Sequence, residues 1–261
     1  MTRTLALCAD DFGAAPGISA GIARLAHAQR LTALSCIVNS PHWPAAAQLL
    51  DGLPASVDVG LHLNLTEGRP LSARLGRHWP RLPGLPRLIV QAHLRLLPRA
   101  AVRRELHAQL AAFNQVMGRP PRFIDGHQHI HHLPGLRAMI LDMVEHVQPL
   151  PALRSTARVL GPGFGLKRWL IEHTGGRALG RELASRVMAR NPALLGAYDF
   201  ADPNYQGLMR GWLGALPAEG GLVFCHPGLH LDGDPPDAIA AARERELAYL
   251  GSVAFDADLA A

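Results

Sequence analysis

The sequence predicts an α/β protein, a closed (β/α) barrel of seven or eight mostly parallel strands, folded as one domain over residues 1–261. Short apolar runs alternate with segments of helical period along the whole chain, the pattern of parallel strands joined by crossover helices. Seven or eight such runs in a chain of this size favour a closed barrel over an open doubly wound sheet. No Gly-X-Gly-X-X-Gly follows the first run, so a dinucleotide-binding open sheet has no support.

The elements follow in order. The first run is TLALCA (4–9). A helix over 16–30 starts near Pro16 and puts Ile18, Ile22 and Leu25 on one face. TALSCIV (32–38) and VDVGLHL (57–63) are the next strands. The rhythm then breaks over 69–100, which carries Pro70, Pro80, Pro83, Pro86 and Pro98 with the apolar stretch LPRLIVQAHLRLL (85–97) inside it. That region reads as a helical excursion on the barrel, or as a lid over its mouth, because long βα excursions often carry function. The segment 101–117 repeats the helical pattern with Val102, Leu106, Leu110, Phe113 and Val116 and ends at Gly118. RFIDGH (122–127), LPALRS (150–155), LLGAYDF (194–200) and GLVFCH (221–226) complete the strands.

Composition bounds the function. A hydrophobic content of 48% supports a large core. The net charge of +5 comes from arginine, since Lys167 is the single lysine. The arginines are spread along the chain, which argues against nucleic acid, whose binding needs a clustered stripe interleaved with aromatics. Cys8, Cys36 and Cys225 are far apart and lie in apolar runs, so they read as small core residues in a reducing compartment. No run reaches the about 18 apolar residues of a membrane span, and the start is too short and too acidic for a signal peptide. A cytoplasmic enzyme is the expectation, and a homodimer is compatible with it.

Reacting groups of a (β/α) barrel sit at the carboxyl ends of its strands. Here the apolar runs end at Asp10-Asp11, His62, Asp125 and His127, Arg154, and His226. Two adjacent carboxylates suit a division of labour, one holding a divalent cation and the other taking a proton from the bound water. The plainer alternative is that Asp11 caps the helix near Pro16. His62, between Leu61 and Leu63, is a core histidine or a metal ligand.

The run DGHQHIHH (125–132) holds four histidines. If the backbone stays extended, Asp125, His127, His129 and His131 share one side in a row about 20 Å long, at ~3.3 Å per residue. That is too long for one ion, so the residue nearest the strand end is the best ligand, and the others face the substrate or buttress the ligands. His226 precedes Pro-Gly and reads as a general acid. Its neighbour Cys225 points to the opposite face and is no thiol partner for it. Phosphate-loop and HExxH signatures are absent.

ADDFG, GLHLNLTEGRPL, DGHQHIH and CHPG, in that order, resemble the YdjC-like carbohydrate deacetylases, which include chitooligosaccharide deacetylase and a hopanoid-associated type. The likeness runs from about residue 4 to 250. It implies a distorted TIM-like (β/α) barrel, one divalent metal ion, Mg²⁺ or Zn²⁺, and removal of an N-acetyl group from an amino sugar, free or carried on a glycolipid. Carried onto matching positions, it implies Asp11, His62 and His127 as metal ligands, Asp10 as general base and His226 as acid. This chain has DGH where many relatives have DSH. Arg154 is a candidate for gripping the sugar or shielding the oxyanion, or for a structural ion pair.

Two other functions compete. A phosphoesterase would need a second metal, for which Asp125, His129 and His131 are candidates, ~3.5–4 Å from the first. A non-catalytic carbohydrate-binding barrel would have no need of a base beside a metal.

Overall fold

The computed structural model describes residues 3–261. Seven strands form one parallel sheet: β1 (Leu5–Phe12), β2 (Ala33–Cys36), β3 (Asp58–Leu63), β4 (Phe123–Gly126), β5 (Ala152–Leu153), β6 (Leu194–Leu195) and β7 (Gly221–Cys225). Their order is β5-β4-β3-β2-β1-β7-β6. Each lies within one of the apolar runs except β1, which continues through Asp10 and Asp11 to Phe12.

The sheet is curled. In a flat sheet β5 would lie about 19 Å from β1, four strand spacings away. Yet Arg154, immediately after β5, donates two hydrogen bonds of 2.6 Å to Asp10 on β1. The chain beyond β5 then reaches the other edge: Val159 bridges Leu194 of β6, Leu160 N donates to Leu194 O at 2.8 Å, and Leu194 N donates to Arg158 O at 2.9 Å. One bridge stands where an eighth strand would close the ring, which makes this a distorted TIM-like barrel. The edge strands are two residues long, much shorter than their apolar runs. β5 follows Pro149 and Pro151, which cannot donate to a ladder.

The helices cover the outside of the sheet. Pro16–His27 has Pro16 in its first turn, as expected, and ends before residue 30 because Gln29 turns left-handed, with φ of 56°. Arg99–Met117 stops at Gly118, a left-handed cap. In the 69–100 segment Leu75, Trp79, Leu82, Leu88 and Ala92 are buried, and its first turn of helix, Ala73–Gly76, packs on this helix. It is tied there by the buried Glu105 carboxylate, which accepts from the backbone N–H groups of Leu71 (2.9 Å) and Ser72 (2.7 Å). The three cysteines are unpaired and buried. Among the described residues no helix is long and apolar enough to cross a membrane.

Candidate metal centre

The site begins with an irregularity in β1. Ala9 faces Leu34 on β2, but the next partners are Phe12 and Cys36, so three steps on β1 match two on β2. This is a bulge, which re-aims side chains. Asp11 carries it with a φ of 72°, a left-handed conformation that costs a non-glycine residue roughly 1–2 kcal/mol. The period of two is broken, and Asp10 and Asp11 both turn to the same group of buried polar residues. The helix that follows is capped at Ala15 with no side-chain hydrogen bond, so Asp11 is not its cap. Gly13 completes the turn with a φ of 89°, where a Cβ would lie 2.6 Å from the Ile37 carbonyl oxygen.

Asp11, His62 and His127 converge from β1, β3 and the end of β4. Asp11 Oδ1 lies 2.9 Å from His127 Nδ1 and 3.5 Å from His62 Nε2. Ligand atoms of all three lie within 4.8 Å of one another, and donors held 2.0–2.2 Å from one ion are separated by about 3.0–3.5 Å, so the group could hold a shared divalent cation. What lies behind them fits as well. His62 Nδ1 donates to Asp125 Oδ1 at 2.6 Å, which turns Nε2 toward Asp11. Asp125 also accepts from the Ser35 hydroxyl at 2.5 Å. The second oxygen of Asp11 accepts from Arg243 Nη2 at 2.8 Å, and His127 Nε2 lies 3.1 Å from Glu67 Oε1.

The electrostatics suit a cation. Burial pushes the His62 imidazolium down, but Asp125, Asp10 and Asp11 outweigh it and hold the ring up to about 10. Burial likewise opposes charge on His127, and Asp11 and Glu67 raise it to about 9. Burial acts to raise Asp11, and His127 and Arg243 more than offset it, leaving the carboxyl well below its ordinary range.

Asp10 stands beside this triangle with a different partner. The Arg154 guanidinium, buried against it, binds both of its oxygens and also reaches Asp125 Oδ2 at 2.6 Å and Cys8 Sγ at 3.2 Å. Cys8, Asp10 and Asp125 bring three further ligand-type atoms together, but Arg154 already supplies the positive charge among them. Its guanidinium is committed to these carboxylates and is not turned outward to a sugar.

The expected extended row at 125–131 is corrected by the structure. The strand ends at Gly126, and His127–His132 forms a tight turn with Gln128 and His129 left-handed. The side chains therefore scatter. His131 Nε2 donates to the Arg154 carbonyl at 3.0 Å, and burial pushes the ring down to about 4. His129 lies edge-on to Phe224, with ring centroids 5.1 Å apart, and its Nδ1 has no partner. His132 sits between the hydroxyls of Thr156 and Thr174.

His226 follows β7 with its ring edge-on to Phe200 and Phe224, 5.1 and 5.6 Å between centroids. Its Nδ1 is buried without a partner, and burial pushes the ring down to about 4. Its backbone N–H donates to Glu246, a carboxyl raised by burial to about 7 that also accepts from the Tyr198 hydroxyl.

Sequence reasoning passed over Ser35, Glu67 and Arg243. Ser35 is the one polar residue inside the apolar part of TALSCIV, and Glu67 stands four residues beyond a strand end; both positions carried a signal. Arg243 lies in ARERE (242–246), where an arginine reads as part of a solvated face.

The sequence model described as "YdjC-like protein" matches residues 4–261. A human carbohydrate deacetylase is 36% identical over 175 residues, 64% of this chain and 51% of that one. A chitooligosaccharide deacetylase of Proteus mirabilis is 36% identical over 138 residues, 50% of this chain and 51% of that one. The chain spans about half the length of the curated relatives it matches. A crystal structure from Enterococcus faecalis V583, described as a "putative cellobiose-phosphate cleavage protein", superposes with a TM-score of 0.73 over 99% of this chain and 96% of that one. At 20% sequence identity that likeness speaks for the fold.

Proposed function

The chain belongs to the YdjC-like family, and on that premise we propose that it is a metal-dependent carbohydrate deacetylase, hydrolysing an N-acetyl group on an amino sugar or its oligosaccharide. The observation that carries the proposal is the Asp11–His62–His127 triangle with the Asp10 carboxylate adjoining it. The names of the curated relatives supply the substrate class.

Asp11, His62 and His127 would hold Mg²⁺ or Zn²⁺, which when bound supplies Lewis acidity to water and to the acetamide carbonyl. Three protein donors leave room for both. Asp10 takes a proton from the attacking water while the new C–O bond forms. Arg154 grips both Asp10 oxygens and fixes the direction of the carboxylate. As the C–N bond breaks, His226 gives a proton to the departing amine, and acetate and the free amino sugar result. Burial keeps the His226 ring neutral at rest, so it must gain a proton before giving one; Asp11 and Asp10 both favour that charge. The unpaired cysteines support a reducing compartment such as the cytoplasm.

A two-metal phosphoesterase has less support, because Arg154 occupies the space among Cys8, Asp10 and Asp125 and His129 and His131 turn to other partners. The test is acetate release from a panel of N-acetylated saccharides, with chelator and with added Mg²⁺ or Zn²⁺. Metal-restored release supports the proposal. No acetate from any saccharide with either metal would overturn it.

A further inference from the structure

The arginines are spread along the chain, but the acids are not. Between Glu67 and Glu105 there are nine arginines and no aspartate or glutamate. Removing these nine from the 26 basic residues leaves 17 against 21 acids, so the excess positive charge of the protein resides in this one segment. All nine are exposed.

The same segment exposes aliphatic side chains. On the helix Leu85–His93, Leu88 and Ala92 are buried. Val90 and the following Leu94 share the opposite side, one turn apart, 54% and 63% exposed, and Leu96 beyond them is 64% exposed. Arg87 and Arg95 flank these residues and are exposed too. The surface is fixed, since Glu105 and buried Trp79, Leu82 and Leu88 hold its underside. The segment that carries it begins just after Glu67, whose carboxylate touches His127.

We propose that the arginine-rich excursion around Val90, Leu94 and Leu96 docks the protein on an anionic lipid bilayer. The inference is independent of the reaction performed. A bilayer of that kind offers both things the surface lacks, negative headgroups for the guanidinium forks and an apolar boundary for the aliphatic side chains. A second copy presenting the same patch would set Arg87 and Arg95 against like charges. Nucleic acid fits less well, because Trp79, the aromatic residue of the segment, is buried and offers no stacking platform.

The test is co-sedimentation of the full chain with vesicles of phosphatidylcholine alone and of phosphatidylcholine mixed with phosphatidylglycerol, at low and high salt. Binding to the mixed vesicles, weakened by salt and absent on phosphatidylcholine alone, is expected. Arg87→Gln with Arg95→Gln should weaken partitioning by about 25-fold, from about fivefold per arginine. Val90→Asp with Leu94→Asp should weaken it as well. These positions are exposed, so unchanged thermal unfolding separates lost docking from lost fold. No binding to mixed vesicles, equal binding to neutral ones, or full binding by either double variant would overturn the proposal. So would single-stranded RNA that displaces the vesicles and binds the Val90→Asp, Leu94→Asp protein undiminished.

Discussion

Asp10 and Asp11 are consecutive in the chain, yet their carboxylates serve different partners on the same side of the sheet. Asp10 is gripped by Arg154 through both oxygens, and Asp11 lies between His62 and His127. The bulge at the end of β1 makes this arrangement possible, because in a regular strand one of the two would point into the surrounding helices. The proposed reaction uses that separation, Asp11 for a cation and Asp10 for a proton.

Asp10→Asn tests that division. The amide keeps the shape and leaves Asp11, His62 and His127 untouched, so calorimetric titration should find metal bound with near-normal affinity. Acetate release should fall about 10²–10⁴-fold, the usual worth of a general base. A fully active Asp10→Asn protein would remove Asp10 from the reaction, and a protein that lost its metal would place Asp10 among the ligands.

Metal uptake should release protons and strengthen with pH. Without metal, His62 and His127 are held up to about 10 and 9, above the ordinary imidazole value. Their protonated rings therefore stabilise the metal-free fold fully below pH ~6.5, and that contribution is lost as pH rises through about 9 to 10. A ligating ring must be neutral, so near pH 7 binding should displace about two protons. Calorimetry in buffers of different ionisation heat counts them. The rise in thermal midpoint caused by metal should grow from pH 6.5 toward 9. No proton release would mean that these rings are not the ligands.

Arg154→Met should destabilise the fold by roughly 3–5 kcal/mol, because it leaves Asp10 and Asp125 buried without their shared cation. Denaturant unfolding measures the loss. Arg154→Lys should recover only part of it, since one ammonium cannot reproduce the double contact to Asp10. If Arg154→Met were neutral in stability, the network would not be holding the two carboxylates.

Much of this was legible in the sequence because barrel chemistry collects at strand ends. Seven apolar runs located seven strands, and the polar residues ending them, Asp10, Asp11, His62 and Asp125 with His127 just beyond, are neighbours in space. Local backbone was less legible. Nothing in DGHQHIHH specifies left-handed Gln128 and His129, so an extended row was the natural expectation. Long-range partners were least legible: Arg243 reaches Asp11 across 232 positions, and only the curl of the sheet brings Arg154 to Asp10.

That turn gives a last prediction at Gly126. Its backbone is extended, with a φ of −152°, so no conformational strain bars another residue there. The obstacle is contact, because a Cβ would lie 2.9 Å from Ile130 Cγ1 and 3.0 Å from the His131 backbone nitrogen, where the turn folds back on the strand end. Gly126→Ala should therefore cost about 1–3 kcal/mol and shift His127, lowering metal affinity with it. Gly126→Ser adds the same Cβ together with a hydroxyl close to His131 Nδ1, which is buried without a partner. A hydrogen bond there returns about 1 kcal/mol, so serine should be better tolerated than alanine. Unfolding midpoints and metal titrations of the two variants check the order, and an alanine variant as stable as serine would show that the hydroxyl finds no partner in the turn.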